Sequence, residues 1–136
     1  MYSSVKFFQL LSDSTRIRIL LLLLNNDELC VCQLMGALGM SQPRVSRQLR
    51  TLKLAELVTS HKTGKWSFYK INPELNDNDP VIALLASIPK WLKDDKSVEL
   101  DEIALRACIK QQETTGNCDF KSFTGIRGQI GAKRPQ

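Results

Sequence analysis

The 136-residue chain is predicted to fold as mainly α-helix with a single β-hairpin: a helix-turn-helix followed by a wing. Three observations lead there. Apolar residues recur at helical spacing from Val5 to Leu52. Gly39 marks a turn between two short helices, the second basic on its outer side. Two stretches suited to strands, Leu57–His61 and Trp66–Ile71, then flank the loop Lys62-Thr-Gly-Lys65.

Each element has its own local reason. Residues 3–11 are weakly amphipathic, with Val5, Phe8 and Leu11 on one side. Asp13 or Ser12 caps a second helix to about Leu24, in which Ile17, Leu20, Leu21 and Leu24 form a buried face. A short third helix is expected from about Cys30 to Leu38, with Leu34 and Leu38 inward and Gly39 as its stop. Ser41 is expected to cap a fourth helix through its side chain, with Pro43 in the first turn. There Val45, Leu49 and Leu52 cluster within about 60° of one another, leaving Arg44, Ser46, Arg47, Arg50 and Thr51 outside that sector. Pro73 ends the second strand. Asp79 and Pro80 start a fifth helix carrying Ile82, Leu84, Leu85, Ile88, Trp91 and Leu92, apolar on more than one side and so suited to its own core and a second subunit. Pro89 should kink or end it near Ile88. A last helix spans about Val98 to Gln112. The domain is placed at residues 1–113, and the Gly-, Thr- and Lys-containing residues 114–136 read as a flexible tail.

Composition narrows the function. The longest apolar run, Ile19–Leu24, is too short to cross a bilayer, and no secretion pattern opens the chain, so a cytoplasmic protein without a membrane partner is expected. From Ser41 to Lys70 seven basic residues stand against one acidic residue, Glu56, although the whole chain carries a net charge of only +5. A patch so confined is a footprint for a polyanion. Gln42, Arg44, Ser46 and Arg47, with Ser41 before them, occupy the start of the fourth helix, from which side chains enter a DNA major groove. Arg bridges guanine O6 and N7; Gln does the same for adenine. Arg50, Lys53, Lys62 and Lys65 suit phosphates. Trp66, Phe68 and Tyr69 are expected to pack the hairpin on the core, and His61 to lie on the hairpin surface. No Ser/His/Asp set, phosphate loop or carboxylate pair appears, and a thiol oxidoreductase would need Cys-x-x-Cys beside a βαβ unit, so the chain reads as a non-enzyme.

Cys30 and Cys32 stand just ahead of this basic helix. Thiolates select soft ions such as trivalent arsenic or antimony, cadmium or lead. Two residues apart on a regular helix they would diverge by about 200°, so a shared ion should distort the first turn.

Taken together, Leu11-Ser-Asp-Ser-Thr-Arg16, Glu28-Leu-Cys-Val-Cys-Gln-Leu34, Ser41-Gln-Pro-Arg-Val-Ser-Arg-Gln-Leu49 and Gly64-Lys-Trp66 with Tyr69 resemble the ArsR/SmtB family of winged-helix repressors, its arsenic-responsive branch above all. The resemblance covers roughly residues 5–72. It implies a homodimer on palindromic operator DNA, released when trivalent arsenic or antimony binds cysteine thiolates. It also implies a third sulfur ligand. Met35 stands where the branch often has that cysteine; Cys108 and Cys118, of the same chain or its partner, are the candidates for it, with a plain core role as the other reading of Cys108. Zinc- and nickel-type sites need histidines, and this chain has one, His61. The cadmium/lead branch recruits cysteines from an N-terminal extension; residues 1–8 contain none. A cadmium/lead- or redox-responsive repressor of the same fold is the alternative.

Overall fold

The computed structural model describes residues 4–75, 79–91 and 96–116. In chain order it contains α1 (Ser4–Leu11), α2 (Ser14–Asn25), β1 (Leu29–Cys30), α3 (Val31–Leu38), α4 (Gln42–Leu54), β2 (Val58–Thr63), β3 (Trp66–Ile71), α5 (Pro80–Trp91) and α6 (Ser97–Thr115). The strands form one antiparallel sheet in the order β1-β3-β2. The predicted class, mainly helical with a hairpin wing, is the class observed.

α2 is the centre of the core. Asp13 caps it, its carboxylate accepting from Thr15 N at 2.8 Å and Arg16 N at 3.4 Å. The helix is buried on more than the predicted face, because Ile19, Leu22 and Leu23 are enclosed along with Leu20 and Leu21. A helix apolar all round belongs inside, and here other elements cover it from several sides. Arg16 folds back to donate to the Gln9 and Leu10 carbonyls, satisfying the end of α1.

α3 and α4 form the helix-turn-helix. Gly39 joins them in the left-handed conformation (φ 66°, ψ 38°), its N–H donating to Met35 O at 2.9 Å. A side chain there would clash with the backbone, so glycine is the natural residue. Val45, Leu49 and Leu52 are buried as expected and seat α4 on the core. Ser41 precedes α4, but its hydroxyl makes no capping bond; its backbone carbonyl accepts from Val45 N instead.

The hairpin is tighter than expected. β2 runs through Lys62 to Thr63, which pairs with Trp66 and leaves a two-residue loop of Gly64 and Lys65. Gly64 has φ +62°, the sign that primed hairpin turns require. Asp79 caps α5 through Val81 N, as predicted. α5 runs past Pro89 to Trp91; the proline forgoes the one bond its N–H would have donated to the Leu85 carbonyl without ending the helix there. The larger side chains Val81, Ile82, Leu85 and Ile88 are buried within this chain. The large apolar side chains left exposed among the described residues are Val5 and Phe8 on α1, Leu54 on α4 and Ile103 on α6. α6 continues to Thr115, beyond the boundary predicted at 113, and residues 117–136 of the predicted tail lie outside the described residues. No helix among the described residues is long and apolar enough to cross a membrane.

Candidate sensing site and nucleic-acid interface

The basic face is built by one helix and one hairpin. With Val45, Leu49 and Leu52 turned inward, Gln42, Arg44, Arg47 and Arg50 are exposed on α4, with Ser41 at its start and Ser46 half-buried. Among the described residues none of Arg44, Arg47 and Arg50 has an ion-pair partner, so their charge faces solvent. Lys62 and Lys65 are exposed at the hairpin, Lys65 Nζ lying 5.1 Å from the centre of the Trp66 ring. Lys53 points to the hairpin, donating to Ser60 Oγ at 2.7 Å, and so braces the wing against α4. Gln48 Nε2 reaches Asp13 at 3.3 Å, tying α4 to the cap of α2. His61 lies on the hairpin surface as predicted, stacked on Phe68 with its Nε2 3.5 Å from Glu28. Tyr69 packs against the core.

The cysteines sit differently from the regular-helix expectation. Cys30 is outside the helix: it closes β1, pairs with Phe68 of β3, and is the N-cap of α3 with extended backbone (φ −82°, ψ 162°). Strand pairing, a tertiary effect, moves the helix start to Val31. Cys32 then lies in the first turn, and the divergence of about 200° computed for two residues of one helix does not apply. Both cysteines line one cavity of about 320 Å³ and neither is in a disulfide. Val31 and Met35 complete its α3 side, Trp66, Ser67 and Lys65 its hairpin side, and Gln42 brings in the first residue of α4.

The donor set suits a soft ion: two sulfurs able to ionise and one thioether around a partly apolar space. Of the other two predicted sulfur ligands, the described one, Cys108, does not line this cavity. Cys108 is fully buried in α6 and disulfide-bonded, so it has no thiolate to offer in this state. Cys118 lies outside the described residues. Among the described residues no group of three or more His, Cys, Asp or Glu side chains could hold a metal ion, so a third strong ligand is not supplied from those types.

Two residues at the site escaped the sequence reading. Gln33, at the third position of α3, accepts the Cys30 backbone N–H at 3.0 Å in a capping-box arrangement. Its spacing from Cys30 was a usable signal, masked because the cap is cysteine rather than serine or threonine. Gln112 of α6 bonds Gln33 at 2.8 Å, and nothing in the sequence pointed to it.

Residues 13–60 match the family described as bacterial regulatory protein, arsR family. The chain is 40% identical over 90 residues to the arsenic resistance transcriptional regulator ArsR2 of Pseudomonas putida, covering 65% of this chain and 78% of that one. It is 44% identical over 71 residues to the arsenical resistance operon repressor of Escherichia coli, covering 52% of this chain and 61% of that one. Among solved structures, the antimony-specific transcriptional repressor AntR superposes with a TM-score of 0.53 at 29% identity, over 66% of this chain and 76% of that one. These relatives are transcriptional regulators, not enzymes. With likeness extending over more than three-quarters of a relative, and with a helix-turn-helix and wing in place, the chain belongs to the ArsR family of bacterial transcriptional regulators.

Proposed function

We propose that this protein is a metalloid-responsive repressor. It binds operator DNA as a homodimer and leaves it when trivalent arsenic or antimony is captured by the thiolates of Cys30 and Cys32. One observation carries the reading: the cavity that holds both cysteines is also lined by Gln42 of the DNA-reading helix and by Lys65 and Trp66 of the wing. A ligand gripped at sulfur therefore lies against both elements that would touch DNA. The names of the relatives, an arsenic resistance regulator and an antimony-specific repressor, support the ion class.

In this reading Gln42, Arg44, Ser46 and Arg47 meet base edges, Ser41 lies at the groove entrance, and Arg50, Lys62 and Lys65 hold phosphates. DNA binding and dimerisation are assigned to residues 1–113, the last helix of which continues to Thr115. The second copy covers Val5, Phe8 and Ile103. Capture draws the Cys30 sulfur from its capping place and strains the start of α3, whose other end passes through Gly39 into α4. A tenfold loss of operator affinity needs a coupling of only about 1.4 kcal/mol, small beside typical thiolate–metal energies.

The test is a titration of operator-bound protein with arsenite, antimonite, cadmium and peroxide, followed by fluorescence anisotropy of labelled DNA. Release by arsenite or antimonite that is lost in Cys30→Ser and in Cys32→Ser supports the proposal. Release by cadmium alone, or by peroxide with reversal by a reductant, moves the signal to the cadmium/lead or redox alternative. Normal arsenite release in both serine variants would refute the site.

A further inference from the structure

Gln112 is not among the residues lining the cavity and belongs to α6, which packs more extensively on α3 than on any other element. Its contacts form a closed ring whose donor directions follow from chemistry. The backbone N–H of Cys30 can only donate, so the Gln33 atom 3.0 Å away is the carbonyl Oε1. That turns Gln33 Nε2 outward as a donor, and the Gln112 atom it meets at 2.8 Å is Oε1. The remaining end of Gln112, Nε2, therefore points to Cys30 Sγ, 4.0 Å away. One glutamine on α6 thus holds the sulfur and, through Gln33, the backbone of the same cysteine. Gln33 and Gln112 are half-buried and Cys30 is 1% exposed, so water competes weakly for these bonds.

We propose that Gln112 is a positioning residue of the sensing site, a latch that holds Cys30 in its capping place and must open before that sulfur can grip an ion. The inference rests on the assignment of Cys30 and Cys32 as the inducer ligands. With the latch closed, Cys30 Sγ is turned to α6 and α3 keeps its capped start, the state that presents α4 to DNA. When Cys30 swings its sulfur towards Cys32 and the cavity, the Gln112 Nε2 contact is given up and the Gln33–Gln112 bond is loosened with it. Gln112 therefore sets the ion concentration at which the repressor lets go, while touching neither the ion nor the DNA. It also carries the event to α6, where Ile103 lies exposed.

The sign follows. Removing the latch lowers the cost of reaching the ion-binding state and leaves the DNA-binding surface as it was. Gln112→Leu should bind arsenite about fivefold more tightly, the equivalent of one lost hydrogen bond of ~1 kcal/mol. The operator affinity of arsenite-free protein should be little changed, and release should occur at correspondingly lower arsenite. Gln112→Ala, with the best helix propensity, should do the same and guards against misfolding by leucine. Both are made in the full chain, with arsenite binding followed by Trp66 fluorescence in a Trp91→Phe background and operator binding by anisotropy. A merely structural Gln112 would lower the melting temperature and leave arsenite affinity alone. Unchanged or weakened arsenite affinity in both variants overturns the latch. Cys30→Ser and Cys32→Ser run alongside separate the two failures: wild-type arsenite binding in those variants overturns the sulfur site itself, whereas its loss there, with Gln112→Leu behaving as wild type, overturns the latch alone.

Discussion

Arg18 of α2 and Asp101 of α6 meet as a two-pronged ion pair, with Nε–Oδ2 and Nη2–Oδ1 both 2.7 Å, although 83 residues separate them in the chain. The Asp101 side chain is 2% exposed and that of Arg18 11%, so the pair is sheltered from water and has geometry able to offset its desolvation. Arg18 also reaches the Leu38 carbonyl at 3.5 Å, the last residue of α3. α6 is thus pinned at one point to the central helix and at another, through Gln112, to the start of α3.

Breaking the pair should be costly. Asp101→Ala leaves a guanidinium buried without its partner and should destabilise the protein by about 3–5 kcal/mol. Arg18→Met with Asp101→Leu, which removes both charges, should recover much of that loss. Urea unfolding of the two variants and wild type checks this; equal stability of Asp101→Ala and wild type would show the pair to be dispensable.

Arg47→Ala should weaken operator binding by about 1–3 kcal/mol while leaving the melting temperature near its original value, because the side chain is exposed and without an ion-pair partner among the described residues. Lys62→Ala should act differently. It should weaken binding to all sequences alike and lower the slope of log affinity against log salt by about 0.9. Anisotropy measured across a salt series, on operator and scrambled DNA, separates the two behaviours. An unchanged salt slope in Lys62→Ala would take the wing lysine off the phosphates.

The exposed apolar residues make a prediction about assembly. Phe8→Asp together with Ile103→Asp should give a monomer by sedimentation that keeps its helical circular dichroism and binds operator poorly. A monomer binding with full affinity would count against two copies acting together. The same substitutions test where the contact lies. The sequence suggested α5; there Val81, Ile82, Leu85 and Ile88 are buried within the chain while Leu84 is half-buried, and Phe8 and Ile103 are exposed on α1 and α6, so the same variants compare these faces.

Trp66 lines the cysteine cavity, so it should report capture directly. In a Trp91→Phe background, arsenite should change Trp66 emission in wild type but not in Cys32→Ser. A response that survives the serine substitution would place the ion elsewhere.

What could be seen in the sequence was what depends on near neighbours. The Asp13 cap, the Gly39 turn and the Val45, Leu49, Leu52 stripe each follow from a few consecutive residues, and so did the order of helices and hairpin. The misplaced details depend on distant partners. Cys30 leaves the helix because β1 pairs with β3, and its register with Phe68 lies 38 residues away. Gln33 finds Gln112 across 79 residues. The cysteine pair was recognised from sulfur chemistry, but the cavity joining it to Gln42, Lys65 and Trp66 needed the fold to bring three elements together.

The pairing of Cys30 with Phe68 has an evolutionary corollary. The backbone of Cys30 is anchored in a ladder common to the whole wing, whereas Val31 and Met35, which line the same cavity, take no part in that ladder. Under the proposed function, exchanging those two side chains should alter which thiophile is captured while the strand pairing stays as it is.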